Sequence, residues 1–163
     1  IEFPLQIIID EFKGGAKSFS FNEDEIEHLL TYEYGQKHTF SILALLYPNL
    51  DFRNKFHLDH IFAKSLFVKR NLTKKGIPQS KMEVYLDFCN SIMNLQLLED
   101  IPNIEKSNME FEEWLNETYK DTVSKREYMN KHYIPDVSLD FTDFEEFVEK
   151  RKELLQEKIK SMI

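Results

Sequence analysis

Apolar positions along this chain fall into helical and strand periods separated by polar turns. In the segment Asn22–Tyr34 the residues Ile26, Leu29 and Leu30 make one stripe, and Asn22 with Glu25 three residues on forms a capping pair, so the spacing predicts a helix there. Gly14-Gly15 marks a break before it. Gln36–Tyr47 predicts a second, more fully buried helix, stopped by Pro48. Lys55–Ile61, apolar at Phe56, Leu58 and Ile61, predicts a short strand running into a turn. Ser65–Gln79, with Gly76 and Pro78, reads as a loop or insertion. Lys81–Ile92 has helical spacing through Met82, Tyr85, Leu86, Cys89 and Ile92, and Asn94–Leu98 reads as a second strand.

Pro102 precedes a predicted helix from about Ile104 through Trp114 and Leu115. Ser124-Lys125-Arg126-Glu127 has the capping-box pattern and opens a short helix, with Pro135 closing the turn after it. Thr142 with Glu145 opens a final long helix whose apolar face carries Phe144, Phe147, Val148, Leu154, Leu155 and Ile159. The expected fold class is α+β and mostly helical, with a two-stranded antiparallel hairpin wrapped by helices. One domain is expected over 1–163: supporting helices in 1–54, a core in 55–115 with an insertion at 66–92, and C-terminal helices in 116–163.

Composition adjusts this picture in three ways. The chain has 163 residues, enough for one domain with a sizeable core. It has no apolar run of membrane-spanning length and no signal peptide, so no membrane association is expected. It begins at Ile1 rather than Met, which suggests a piece of a longer protein. Cys89 is the one cysteine, which excludes an intrachain disulfide and a multi-cysteine zinc site, and its place in a helical apolar pattern makes it a core residue. The net charge is −8, which argues against a nucleic-acid partner until its distribution is read. From Arg53 to Lys81 there are eight basic residues against one acid, Asp59, a local balance of +7 that leaves −15 to the rest of the chain. A basic segment on an acidic body is what local phosphate binding needs.

Inside that basic segment lies the candidate chemistry. Asp59-His60-Ile61 closes the first strand, Asn94 opens the second, and Asn103 is followed three residues on by Lys106. Hydrolysis of a phosphodiester needs a base for water, a cation for the leaving oxygen and donors for the phosphate. His60 is the natural base, because an imidazole titrates near neutral pH. Asp59 and Asn103 supply hard oxygens suited to Mg²⁺ or Mn²⁺. Lys106 would share a helical face with Asn103 and could hold a phosphate. His57, on the strand face of Asp59, is a structural histidine, a phosphate contact, or a third ligand that would extend the metal preference to Ni²⁺ or Zn²⁺. Adjacent residues of a regular strand face opposite sides, so Asp59 and His60 would share one metal site only if the strand bends between them.

Asp59-His60-Ile61 with Ser65, then Asn94-Leu95-Gln96-Leu97-Leu98, then Asn103-Ile104-Glu105-Lys106, resembles the HNH endonuclease superfamily, the ββα-metal nucleases, over roughly Lys55–Lys106. Leu45-Leu46-Tyr47, Phe62-Ala63-Lys64-Ser65, Glu112-Glu113-Trp114-Leu115 and Phe144-Glu145-Glu146-Phe147 with Arg151, Leu154 and Leu155 extend the likeness to the C-terminal nuclease domain of GmrSD-type restriction endonucleases. The resemblance implies a ββα-metal core that cuts foreign or modified DNA in a bacterial cytoplasm, alongside an upstream NTP-hydrolysing domain. By motif position it implies His60 as general base, Asn94 as the structural Asn, and Asp59 and Asn103 as metal ligands; Lys106, Lys64 and Ser65 are the candidate phosphate contacts. Ala63 stands where such domains usually have Pro, and the turn after His60 is expected to be looser for it. A non-catalytic module that docks DNA or a partner is the alternative, and RNA is an alternative substrate.

Overall fold

The computed structural model describes residues 22–48, 50, 51, 53–99, 106 and 109–162. Helix α1, Glu23–Leu30, is set by the expected capping box: Asn22 Oδ1 accepts from Glu25 N–H at 2.9 Å and Glu25 Oε2 accepts from Asn22 N–H at 2.8 Å. It buries Ile26, Leu29 and Leu30. Helix α2 runs Thr39–Leu45, shorter at both ends than its apolar pattern suggested. Strands β1 (Phe56–His60) and β2 (Leu95–Glu99) pair antiparallel, with Asp59 opposite Gln96 and His60 opposite Leu95. Asn94 lies in a 3₁₀ turn, Ile92–Asn94, just before β2.

The stretch read as a loop, Ser65–Gln79, is partly helical: a 3₁₀ turn at Lys64–Leu66 is followed by α3, Lys69–Lys74. Its one fully buried residue, Leu72, is too little for a periodic signal, and the helix is defined by how it stops. Gly76 takes φ +76, Ile77 N–H reaches Leu72 O at 3.0 Å and Gly76 N–H reaches Thr73 O at 3.1 Å, a Schellman ending that only glycine adopts cheaply. Helix α4, Met82–Phe88, follows.

The expected helix from Ile104 through Leu115 is not continuous. Lys106 is helical, but the chain bends at Met109 and Glu110 is extended (φ −60, ψ 137), so α5 is a separate element, Phe111–Thr118. Helix α6, Thr122–Lys131, starts two residues before the Ser124 box, because Asp121 takes the cap and its Oδ1 accepts from Ser124 N–H at 2.9 Å. Likewise Thr142 is a capped residue rather than the cap: Asp140 Oδ1 accepts from Thr142 N–H at 2.8 Å in a 3₁₀ turn, and α7 then runs Phe144–Lys160.

A single buried cluster extends from Ile26 to Ile159. Phe62, two residues past His60, sits in its aromatic centre, with ring centroids 5.3 Å from Phe144, 4.9 Å from Phe147 and 5.6 Å from Phe111. The turn after the Asp-His pair is thus rooted in the core. Arg151 on α7 is fully buried and binds carbonyl oxygens only: Ile92, Met93 and Leu95 before and within β2, and His132 and Tyr133 after α6. Burial brings its guanidinium down to about 10, still charged at neutral pH. No helix among the described residues is long and apolar enough to cross a membrane.

Candidate active site

β1 stays regular to its last residue. Ile61 N–H reaches Asn94 O at 2.8 Å, and the antiparallel alternation then turns the N–H and C=O of His60 to the edge away from β2. The bent strand end allowed for by the sequence is therefore absent. Asp59 and His60 point to opposite faces of the hairpin, and their partners confirm it.

His60 meets the helical layer. Its Nε2 is 3.0 Å from Asn90 Oδ1 and its ring lies 4.7 Å from that of Tyr34. An amide oxygen only accepts, so this bond puts the proton on Nε2 and leaves the lone pair on Nδ1. Burial lowers the imidazole below its ordinary value, with the Asn90 bond and Asp59 pulling the other way. The side chain is neutral at physiological pH, the state a general base requires.

Asp59 faces the other side. Gln96 Nε2 donates to its Oδ2 at 2.9 Å, and Tyr128 O–H donates to Gln96 Oε1 at 2.5 Å, so the cross-strand neighbour is itself held. Lys106 Nζ stands 3.1 Å from Oδ2 and 3.4 Å from Oδ1, and also donates to the His60 carbonyl on the open edge of β1. The Lys106 side chain is only 1% exposed. This corrects the expected phosphate role of Lys106: its ammonium is buried and spent on Asp59 and His60 O. Burial lowers its pKa, opposed by the Asp59 charge.

Asn94 is fully buried and brackets the turn. Its Oδ1 accepts from Phe62 N–H at 2.9 Å, its Nδ2 donates to Phe62 O at 3.2 Å and Cys89 O at 2.8 Å, and its backbone oxygen takes Ile61 N–H. Its place is structural, behind His60, not among reacting groups. The bracket also removes the expected looseness at Ala63, which is buried with φ −53 and ψ 131, inside the range proline occupies.

His57 is exposed on β1 opposite Leu98, and Lys64 and Ser65 are exposed just past the turn. Asn103 lies outside the described residues. Asp59 retains 13% side-chain exposure, and a carboxylate has about four lone-pair sites, so beside its bonds to Gln96 and Lys106 it keeps oxygen lone pairs of the kind a hard cation takes. Among the described residues no three His, Cys, Asp or Glu side chains come together as a metal site.

Sequence reasoning passed over Asn90, Gln96, Tyr34 and Tyr128. Gln96 had a signal, a polar residue inside an apolar strand. Asn90 and Tyr34 had none, because only the pairing of the segments after α1 and α4, through Tyr34 N–H to Asn90 O and the Glu33–Ser91 bridge, brings them together at His60. No family model matches this chain, and no curated protein matches it.

Proposed function

We propose that this chain is a metal-dependent DNA endonuclease domain of the ββα-metal type. The observation that carries the reading is His60: it ends a hairpin strand, its turn is bracketed by Asn94, and its imidazole is neutral with Nδ1 left as the base. His60 Nδ1 takes a proton from water, the resulting hydroxide attacks phosphorus, and the P–O3′ bond breaks with its electron pair on the 3′ oxygen. Proton return from solvent leaves a 3′ hydroxyl and a 5′ phosphate. A divalent ion, Mg²⁺ or Mn²⁺, held by Asp59 and Asn103 would supply positive charge for the departing oxygen. Lys64 and Ser65, exposed just past the turn, would contact phosphate oxygens on this reading. Restriction of foreign or modified DNA in a bacterial cytoplasm, with an NTP-hydrolysing partner, follows from the family resemblance alone.

A second reading has one observation in its favour. The Lys106 ammonium already neutralises Asp59, as it would in a retained fold that docks DNA or a partner without cutting. Plasmid cleavage with Mg²⁺ or Mn²⁺, with and without EDTA, decides between them. The endonuclease reading expects EDTA-sensitive cleavage that His60→Ala abolishes; metal-dependent cleavage surviving in His60→Ala would remove His60 as the base. DNA binding with no cleavage by the intact protein favours the docking module.

A further inference from the structure

We propose that Tyr34, supplied by the segment that precedes the hairpin, is a DNA-contacting residue beside His60, its ring packing on a deoxyribose while Lys64 takes an oxygen of the adjacent phosphate. The inference rests on the nuclease reading only for the choice of DNA as substrate.

Three observations converge on it. Tyr34 is a large aromatic left 44% exposed, and its ring lies against the His60 imidazole at 4.7 Å. Lys64 Nζ stands 5.6 Å from the centroid of the same ring, a cation–π distance, so the ring also carries an exposed ammonium. The backbone fixes this placement: Tyr34 N–H donates to Asn90 O at 2.8 Å, and Glu33 pairs with Ser91 in an isolated bridge. Gly35, at φ +89, lets the chain turn away directly after it. Asn90 therefore holds His60 by its side chain and Tyr34 by its backbone, setting base and ring relative to each other.

The chemistry suits a nucleotide. A sugar–phosphate chain alternates apolar sugar faces with anionic oxygens, and here an exposed ring alternates with an ammonium. Lys69 and Arg70, also exposed, follow Lys64 closely in the chain. Glu33, the acid next in sequence, lines a different groove with Glu27 and Asp87.

The test is fluorescence anisotropy of a labelled DNA duplex with the full chain in EDTA, where nothing is cut. Tyr34→Ala should weaken binding about fivefold or more, the low end for one aromatic–nucleotide contact, with little change in salt slope because a sugar contact releases no counterion. Tyr34→Phe should stay within about twofold of the parent. Lys64→Gln should weaken binding and reduce the salt slope by about 1. Tyr34→Leu, which keeps apolar bulk against His60, is the second variant if Tyr34→Ala alters the far-UV spectrum; it should also bind more weakly than Tyr34→Phe. Parent-like binding by Tyr34→Ala or Tyr34→Leu, or no binding by the parent, overturns the inference. Binding through Tyr34 with no cleavage in Mg²⁺ or Mn²⁺ keeps it while the nuclease reading falls. Cleavage that depends on His60 but is indifferent to Tyr34 in KM and binding does the reverse.

Discussion

Replacing Lys106 by Met would strip the counter-cation from Asp59 while keeping most of the buried side-chain volume. Breaking one half of a buried ion pair costs about 3–5 kcal/mol, because the remaining charge is left in a poor solvent. Lys106 is 1% exposed but Asp59 is 13% exposed and keeps its bond to Gln96, so the low end applies, about 3 kcal/mol. With a urea m-value of about 1.5–2 kcal/mol per M, the unfolding midpoint should fall by about 1.5–2 M. Asp59→Asn in the Lys106→Met background removes the stranded charge and should recover about 2 kcal/mol, a coupling readable from the double-mutant cycle. Lys106→Met alone, with Asp59 intact, should respond more strongly to Mn²⁺, because an external cation no longer meets an internal one; an ion present at a hundred times its dissociation constant adds about 2.7 kcal/mol. Urea titrations followed by far-UV circular dichroism, with and without Mn²⁺, measure all of this. A loss under about 1 kcal/mol for Lys106→Met, or additive single and double changes, would refute the buried pair.

Three further outcomes follow from the packing. His132 is buried with its Nδ1 on Tyr47 Oη at 3.0 Å, and burial lowers it to about 3, so the unfolded chain takes up a proton below about pH 6.5 that the native state refuses. Stability should therefore fall as pH drops from 6.5 towards 3, by up to about 4–5 kcal/mol from this group, and His132→Gln should flatten the dependence of the urea midpoint on pH. Ala63→Pro, at φ −53, should raise stability by about 0.5–1 kcal/mol in the same titration; a lower midpoint would mean the turn needs the Ala63 N–H. Arg151→Met leaves five carbonyls without their donor and should cost about 4 kcal/mol or more, with Arg151→Lys a poor rescue because an ammonium cannot span them; a cooperative melt near the parent's would contradict the clamp.

Much of the hairpin was legible because it depends on local rules. Asn22 and Glu25 announce α1, the apolar alternation around Leu58 and Leu97 announces the strands, and a polar Asn94 before an apolar run announces the bracket. What escaped depends on partners far along the chain. Asn90 is recognisable as the residue that orients His60 only when β1 is laid beside the end of α4. Lys106 looked like a surface cation because helical spacing cannot report which face is covered, and the open edge of β1 covers it. α3 escaped for a different reason: its Schellman ending, not an apolar stripe, defines it. The capping boxes at Ser124 and Thr142 failed because Asp121 and Asp140 cap earlier and take the N–H groups of Ser124 and Thr142 themselves, which puts both residues inside a turn rather than before it.

Arg151 also ties the hairpin to the order in which the chain is made. Its guanidinium braces the carbonyls of Ile92, Met93 and Leu95, yet it is added roughly ninety residues after His60. At about 5–20 residues per second, that is an interval of about 5–20 s in which the Asp-His pair exists without the clamp behind it. Until then the carbonyls of Ile92, Met93 and Leu95 lack their guanidinium donor, so the segment that leads into β2 is braced only after α7 has been made.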